Sequence, residues 1–161
     1  MKSSFIPFVT TILAATFLTL GVALSAPYEK GQQVLPFTTK DQHEQAFTFK
    51  PAETRYLLVS HDMETGKKAN AALTALGKDY LTSKKAIYMA NIFGMPGIGR
   101  MFALPKMKKY NHRIILADDA ALIARFPTQE GKVTVLVLSG GKVQSVAYWT
   151  PGKEGVETYL K

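Results

Sequence analysis

The chain has 161 residues, 47% of them hydrophobic and 20% charged, with a formal net charge of +8 and no cysteine. That size and composition fit one globular domain, and the missing thiols exclude disulfide staples, thiolate catalysis and an acylated-cysteine lipid anchor. The basic excess, spread over Lys67, Lys68, Lys84, Lys85, Lys106, Lys108, Lys109 and Arg113, comes with no phosphate loop or nucleic-acid signature; it reads as a solvated face, and no nucleic-acid partner is expected.

In chain order, Lys2 is followed by an uncharged apolar run over residues 5–24 and then by small residues, the pattern of a secretory signal. Cleavage after Ser25 is favoured over cleavage after Ala26, which would leave Pro27 behind the scissile bond. The competing reading is an uncleaved anchor, because the run approaches the ~20 residues that cross a bilayer. Thr10, Thr11, Thr16, Thr19, Gly21 and Pro7 weigh against that anchor. The expected domain is therefore 26–161, with no membrane-spanning segment after cleavage and a net charge of +7 once Lys2 is gone. Exported and without staples, it must rely on its core.

Phe47 and Phe49 flank Thr48 and stop at Pro51, which predicts a short outer strand. Tyr56-Leu57-Leu58-Val59 predicts a strand buried on both faces. After a turn at 62–66, Ala69, Ala72, Leu73, Leu76 and Tyr80 predict one amphipathic helix. Residues 86–90 form a second central strand. The Gly94–Gly99 segment has the wrong glycine order for a dinucleotide fingerprint and reads as the loop entering a helix that starts near Pro96. Ile98, Met101 and Phe102 are expected on the buried side of that helix, with Pro105 kinking or ending it. Residues 114–116 predict a third strand, and 122–126 a short element of open type. Two β-rich runs, 133–138 and 143–149, flank Gly140-Gly141 and predict a hairpin. Thr150-Pro151 then predicts a final helix with Val156, Tyr159 and Leu160 on its apolar face.

This order, the lead-in over residues 31–41, the segment Met95-Pro96-Gly97-Ile98-Gly99-Arg100-Met101-Phe102, Lys108-Lys109-Tyr110 and the block 118–149 resemble the exported thioredoxin-like proteins of the TlpA and peroxiredoxin group, and within them the YtfJ-like periplasmic proteins. The resemblance implies an α/β fold with a central mixed sheet flanked by helices and an N-terminal strand extension. It places the family's Cys-x-x-Cys at Met63-Glu64-Thr65-Gly66 and the family's cis-proline at Val133, so both hallmarks of thiol exchange are replaced. No thiol-disulfide oxidoreductase activity is expected.

The groove candidates are His61, Asp62, Met63, Glu64, Gly66 and Val133. His61-Asp62-x-Glu64 follows a central strand, where open α/β sheets place their sites; the reading adopted is that Asp62, Glu64 or Thr65 caps a helix and His61 sits at the sheet rim. Ser60 and His61 are strand neighbours that point to opposite faces, which rules out a Ser-His pair. Met63, Met89, Met95, Met101 and Met107 with His43, His61 and His112 raise a copper reading, since thioethers suit Cu(I). The last four recur every six residues, about 240° apart on a helix, so core filling is preferred and no metal or other cofactor is expected. Two functional readings stand: a noncatalytic interaction module in the periplasm with an unidentified protein partner, or an oxidoreductase or metal-handling protein that uses bound flavin or copper.

Overall fold

A computed structural model describes residues 26–161, so the expected signal segment 1–25 and its cleavage site lie outside the described residues. The strongest apolar run becomes the middle of the sheet. Every residue of β3 (Tyr56–Ser60) is buried, and the strand pairs in parallel with β4 (Ala86–Asn91) and antiparallel with β6 (Val133–Ser139). Beyond β4 come β5 (Ile115–Ala117), β1 (Thr38–Asp41) and β2 (Ala46–Thr48); beyond β6 comes β7 (Lys142–Trp149). The order β2-β1-β5-β4-β3-β6-β7 is the mixed sheet with an N-terminal strand extension that the sequence led us to expect.

Alternation along β3 divides the core between the two faces of the sheet. Tyr56 and Leu58 pack with Leu73, Tyr88, Val135 and Trp149 on one face; Leu57 and Val59 pack with Phe49, Met89, Leu122, Phe126 and Leu136 on the other. The first face is covered by helices α1 (Met63–Ala75), α2 (Tyr80–Ser83) and α3 (Gly97–Met107) and by the C-terminal segment. The second is covered by α4 (Ala120–Ile123) and the N-terminal lead-in through Tyr28 and Val34. Placing α1 and α3 side by side follows from chain direction, because β3, β4 and β5 step across the sheet the same way and right-handed crossovers put both helices on one face.

Several expectations are corrected. The helix read from Ala69 to Tyr80 is two helices, because Gly77 takes a φ of +94° after α1 and the chain restarts at Tyr80. Pro105 does not end α3, which continues to Met107; the bond its missing N–H removes falls on the exposed side of the helix, where water can replace it. Ile98, Met101 and Phe102 are not on the buried side of α3: they are 69%, 69% and 64% exposed, and Met107 with half-buried Ala103 and Leu104 faces inward instead. The third strand runs one residue later than expected, over Ile115–Ala117, and the open element becomes α4, capped by Asp119, whose carboxylate accepts from Leu122 N at 2.6 Å.

The helix expected after Thr150-Pro151 is absent. Gly152 adopts a φ of +84°, Pro151 bridges back to Glu154, and only a single 3₁₀ turn forms over Val156–Thr158, although Val156 and Leu160 are buried as foreseen. The hairpin matches its prediction: Gly140 and Gly141 take φ of +55° and +80°, the positive pair that a two-residue turn of primed type requires.

Candidate functional site

At the C-terminal ends of β3 and β4 the chain leaves the sheet twice, into α1 and into the loop before α3. An open apolar cleft of about 300 Å³ lies between the two helices. Met63, Ile92, Met95, Phe102, Ala103 and Met107 line its walls, with Ser60, Asn70 and Asn91 at polar positions and Lys67 and Lys106 also on its surface. Phe102 stands largely in solvent beside it, and Met63 about half so.

The cleft floor is a set of satisfied polar groups. Ser60 Oγ and Tyr88 Oη are 2.9 Å apart, and burial pushes the Tyr88 hydroxyl far above its usual range, so it stays protonated. A Cβ at Gly66 would lie 3.5 Å from Ser60 Oγ and 3.8 Å from Tyr88 Oη, which is ordinary contact. The glycine therefore relieves no clash; it leaves the cleft one methyl group wider. Behind it, Asn70 Nδ2 donates to Gly66 O at 2.8 Å, which turns Oδ1 towards His112 Nε2 at 2.9 Å. Nε2 must then carry the proton, Nδ1 is left buried without a partner, and burial lowers the His112 pKa to about 4.

Asp62 caps α1 as expected, accepting from Thr65 N at 2.8 Å and Thr65 Oγ1 at 2.7 Å. Burial alone would raise its carboxyl, but these bonds outweigh burial and hold it below the usual range. His61 turns to the other side of the strand from Ser60. Its Nε2 lies 3.1 Å from Thr134 Oγ1, whose single proton goes to Pro127 O, so Nε2 is the donor. Burial lowers the His61 pKa despite the neighbouring Asp62 charge.

Of the six sequence candidates, Asp62, Met63 and Gly66 border the cleft. His61 does not; Glu64 faces solvent beside Lys67 and Lys68, at 3.7 and 3.8 Å; Val133 is fully buried opposite Trp149 at the start of β6. No cis peptide bond occurs among the described residues. Met95, Phe102 and Lys106 belong to the cleft although sequence reasoning had assigned them to a loop, a core face and a solvated patch. Core filling describes Met89 and Met107, whereas Met63 and Met101 are exposed. Met63, Met95 and Met107 are the thioethers a soft ion would meet in the cleft, but neither His61 nor His112 lines it, and no cluster of three His, Cys, Asp or Glu side chains suited to a metal occurs among the described residues.

Arg100 holds the wall formed by α3. Its Nε donates to Met95 O at 3.1 Å, its Nη2 to Ile92 O at 3.0 Å, and both terminal nitrogens engage the Asp118 carboxylate, at 2.6 Å on Oδ1. This fork lowers the Asp118 pKa. Arg100→Ala is expected to speed amide exchange across residues 92–107 while leaving α1 unchanged. Hydrogen-exchange mass spectrometry checks this, and identical protection in the variant would show that the wall does not depend on the clamp.

No protein-family model and no curated protein sequence matches the chain. Solved structures do match in fold. A thio-disulfide isomerase from Thermus thermophilus aligns over 82% of this chain and 94% of its own at 21% identity and a TM-score of 0.52. A Chlorobium tepidum protein named as a thiol:disulfide interchange protein of DsbE type aligns over 83% and 95% at 11% identity and 0.57, and a peroxiredoxin-like protein from Aquifex aeolicus over 82% of each chain at 10% and 0.54. The fold is thioredoxin-like. Within this thioredoxin-like frame the segment 63–66, where the resemblance puts the Cys-x-x-Cys, is the first turn of α1, with Met63 and Gly66 bordering the cleft. A thioether and a bare backbone position can pack against a partner there, but cannot exchange a disulfide.

Proposed function

We propose that this protein is an exported, thiol-free thioredoxin-like interaction module that receives an apolar side chain of a periplasmic protein partner in the cleft between α1 and α3, as a YtfJ-like protein would. The observation that carries the reading is the conjunction of a thiol-free first turn of α1 with an open apolar cleft whose Met63 and Phe102 reach into solvent. The uncharged run over residues 5–24 supports export. No described helix is long and apolar enough to cross a membrane.

A photo-crosslinking residue placed at Met63 or at Phe102 in cells is expected to give a discrete protein adduct, whereas the same residue at exposed Glu53, before the opposite end of β3, is not. Absence of adducts at the cleft, or equal adducts at all three positions, would overturn the reading. The purified protein is also expected to leave insulin and small disulfides unreduced, because no thiolate exists to form the mixed intermediate. Turnover above a thiol-free buffer control would contradict this. The three cleft methionines bear only on the copper half of the second reading, a bound copper or flavin in place of thiols; stoichiometric copper or a flavin spectrum in protein isolated from its native compartment would select it.

A further inference from the structure

The outer side of α3 is apolar where a surface helix is ordinarily polar. Ile98 and Met101 are each 69% exposed, and Phe93 in the preceding loop is also exposed, while Met107 and Leu104 occupy the inner side. A helix apolar on both sides needs a second cover. The charge around it narrows what that cover can be. No acidic residue occurs between Asp79 and Asp118, and exposed Lys106, Lys108 and Lys109 close the C-terminal end of the ridge. Asp118 is consumed by Arg100 and Glu44 by Lys108, so Lys106 and Lys109 form no ion pair among the described residues.

We infer that the outer ridge of α3 docks on an anionic lipid surface, with Phe93, Ile98 and Met101 entering the interface and Lys106 and Lys109 meeting headgroup phosphates. Apolar residues followed by lysines with no acid between them are the arrangement of a helix lying in a membrane interface. A second copy of this chain would bring the same cations against the ridge, which opposes self-association. Apolar side chains that project from a convex helix suit a liquid surface that conforms to them better than a rigid partner that must be concave to match.

The test uses residues 26–161, which hold every described element and both clusters of the described core, because the leader's own apolar run would bind lipid. Co-sedimentation with phosphatidylcholine vesicles containing phosphatidylglycerol is expected to exceed that with phosphatidylcholine alone by about tenfold or more, and to fall as salt rises, for two lysines near an anionic surface. Ile98→Ser with Met101→Ser is expected to abolish binding without lowering the melting temperature, since neither side chain is in the core. Phe102, shared with the cleft, is left unchanged so that the two proposals fail separately. Lys109→Glu, which leaves Lys106 on the cleft untouched, is expected to reduce the phosphatidylglycerol preference by about fivefold or more. Failure to bind anionic vesicles, binding that survives the serine pair, or a concentration-dependent dimer that the serine pair dissolves in place of lipid binding would each overturn the inference.

Discussion

Acidification from neutral pH to pH 4 is expected to weaken the fold by about 3 kcal/mol through His112 alone, taking ~1.4 kcal/mol per pKa unit. In the unfolded chain this imidazole takes up its proton near 6.5; in the fold it does so only near 4, because burial penalises the cation and Nδ1 has no acceptor to meet. The unfolded state therefore binds more protons throughout that window, and stability falls as pH drops through it. Above 6.5 the contribution is complete and flat. Burial shifts His61 in the same direction and steepens the slope, whereas Asp41, Asp62 and Asp118, lowered in the fold, withdraw their stabilisation only at still lower pH. Trp149 is the chain's one tryptophan and is fully buried, so urea unfolding followed by its emission at pH 7 and pH 4 reads the difference directly. Equal stabilities at the two pH values would show that His112 is hydrated or partnered in the fold. His112→Gln should remove its share of the dependence and leave the slope that His61 contributes.

Trp149→Ala is expected to destabilise the domain by about 3–5 kcal/mol, the range for deleting a large aromatic from a core. The indole is wholly buried against Val133, Val156 and Leu160, and its Nε1 donates to Glu154 O at 2.8 Å. Its loss removes both apolar contact and the bond that ties the turn after β7 to the sheet. Trp149→Phe keeps most of the ring contact but leaves Glu154 O unbonded, so the loss should shrink to about 1–2 kcal/mol. Thermal denaturation by circular dichroism separates the two, with a fall on the order of 10–20 °C for the alanine variant. A change of only a few degrees would mean that the C-terminal segment holds its place without the indole.

The expectations that held share a local cause. Tyr56 to Val59 is a continuous apolar run whose natural place is the middle of a sheet, Gly140-Gly141 can both take positive φ, and Asp62 stands three residues before the amide that its carboxylate accepts. The final helix failed because its signal at Thr150-Pro151 competes with the seating of Trp149 in the core opposite Val133. Trp149 must reach Glu154 O, and Gly152 turns the chain back to permit it. The cleft was only half legible: Asp62, Met63 and Gly66 are adjacent in the chain, whereas the opposite wall comes from Met95 to Met107, some thirty residues on.

From the sequence alone follow the absence of thiol chemistry, the basic excess, the central strands and the hairpin, because composition, apolar runs and glycine turns are properties of single residues and near neighbours; the mixed sheet was what the family resemblance implied. Which side of α3 meets the sheet was not among them. Ile98, Met101 and Phe102 have the spacing of a buried stripe, yet Leu104 and Met107 compete for the same sheet from the other side of the helix, and apolar periodicity cannot rank two apolar sides. The tertiary structure decides it through Arg100, whose fork joins Ile92, Met95 and Asp118 and sets the roll of the helix. That choice leaves the apolar ridge in solvent and opens the cleft beside α1, because a helix has one orientation and the bonds that select it tie Arg100 to the loop before α3 and to Asp118 just after β5.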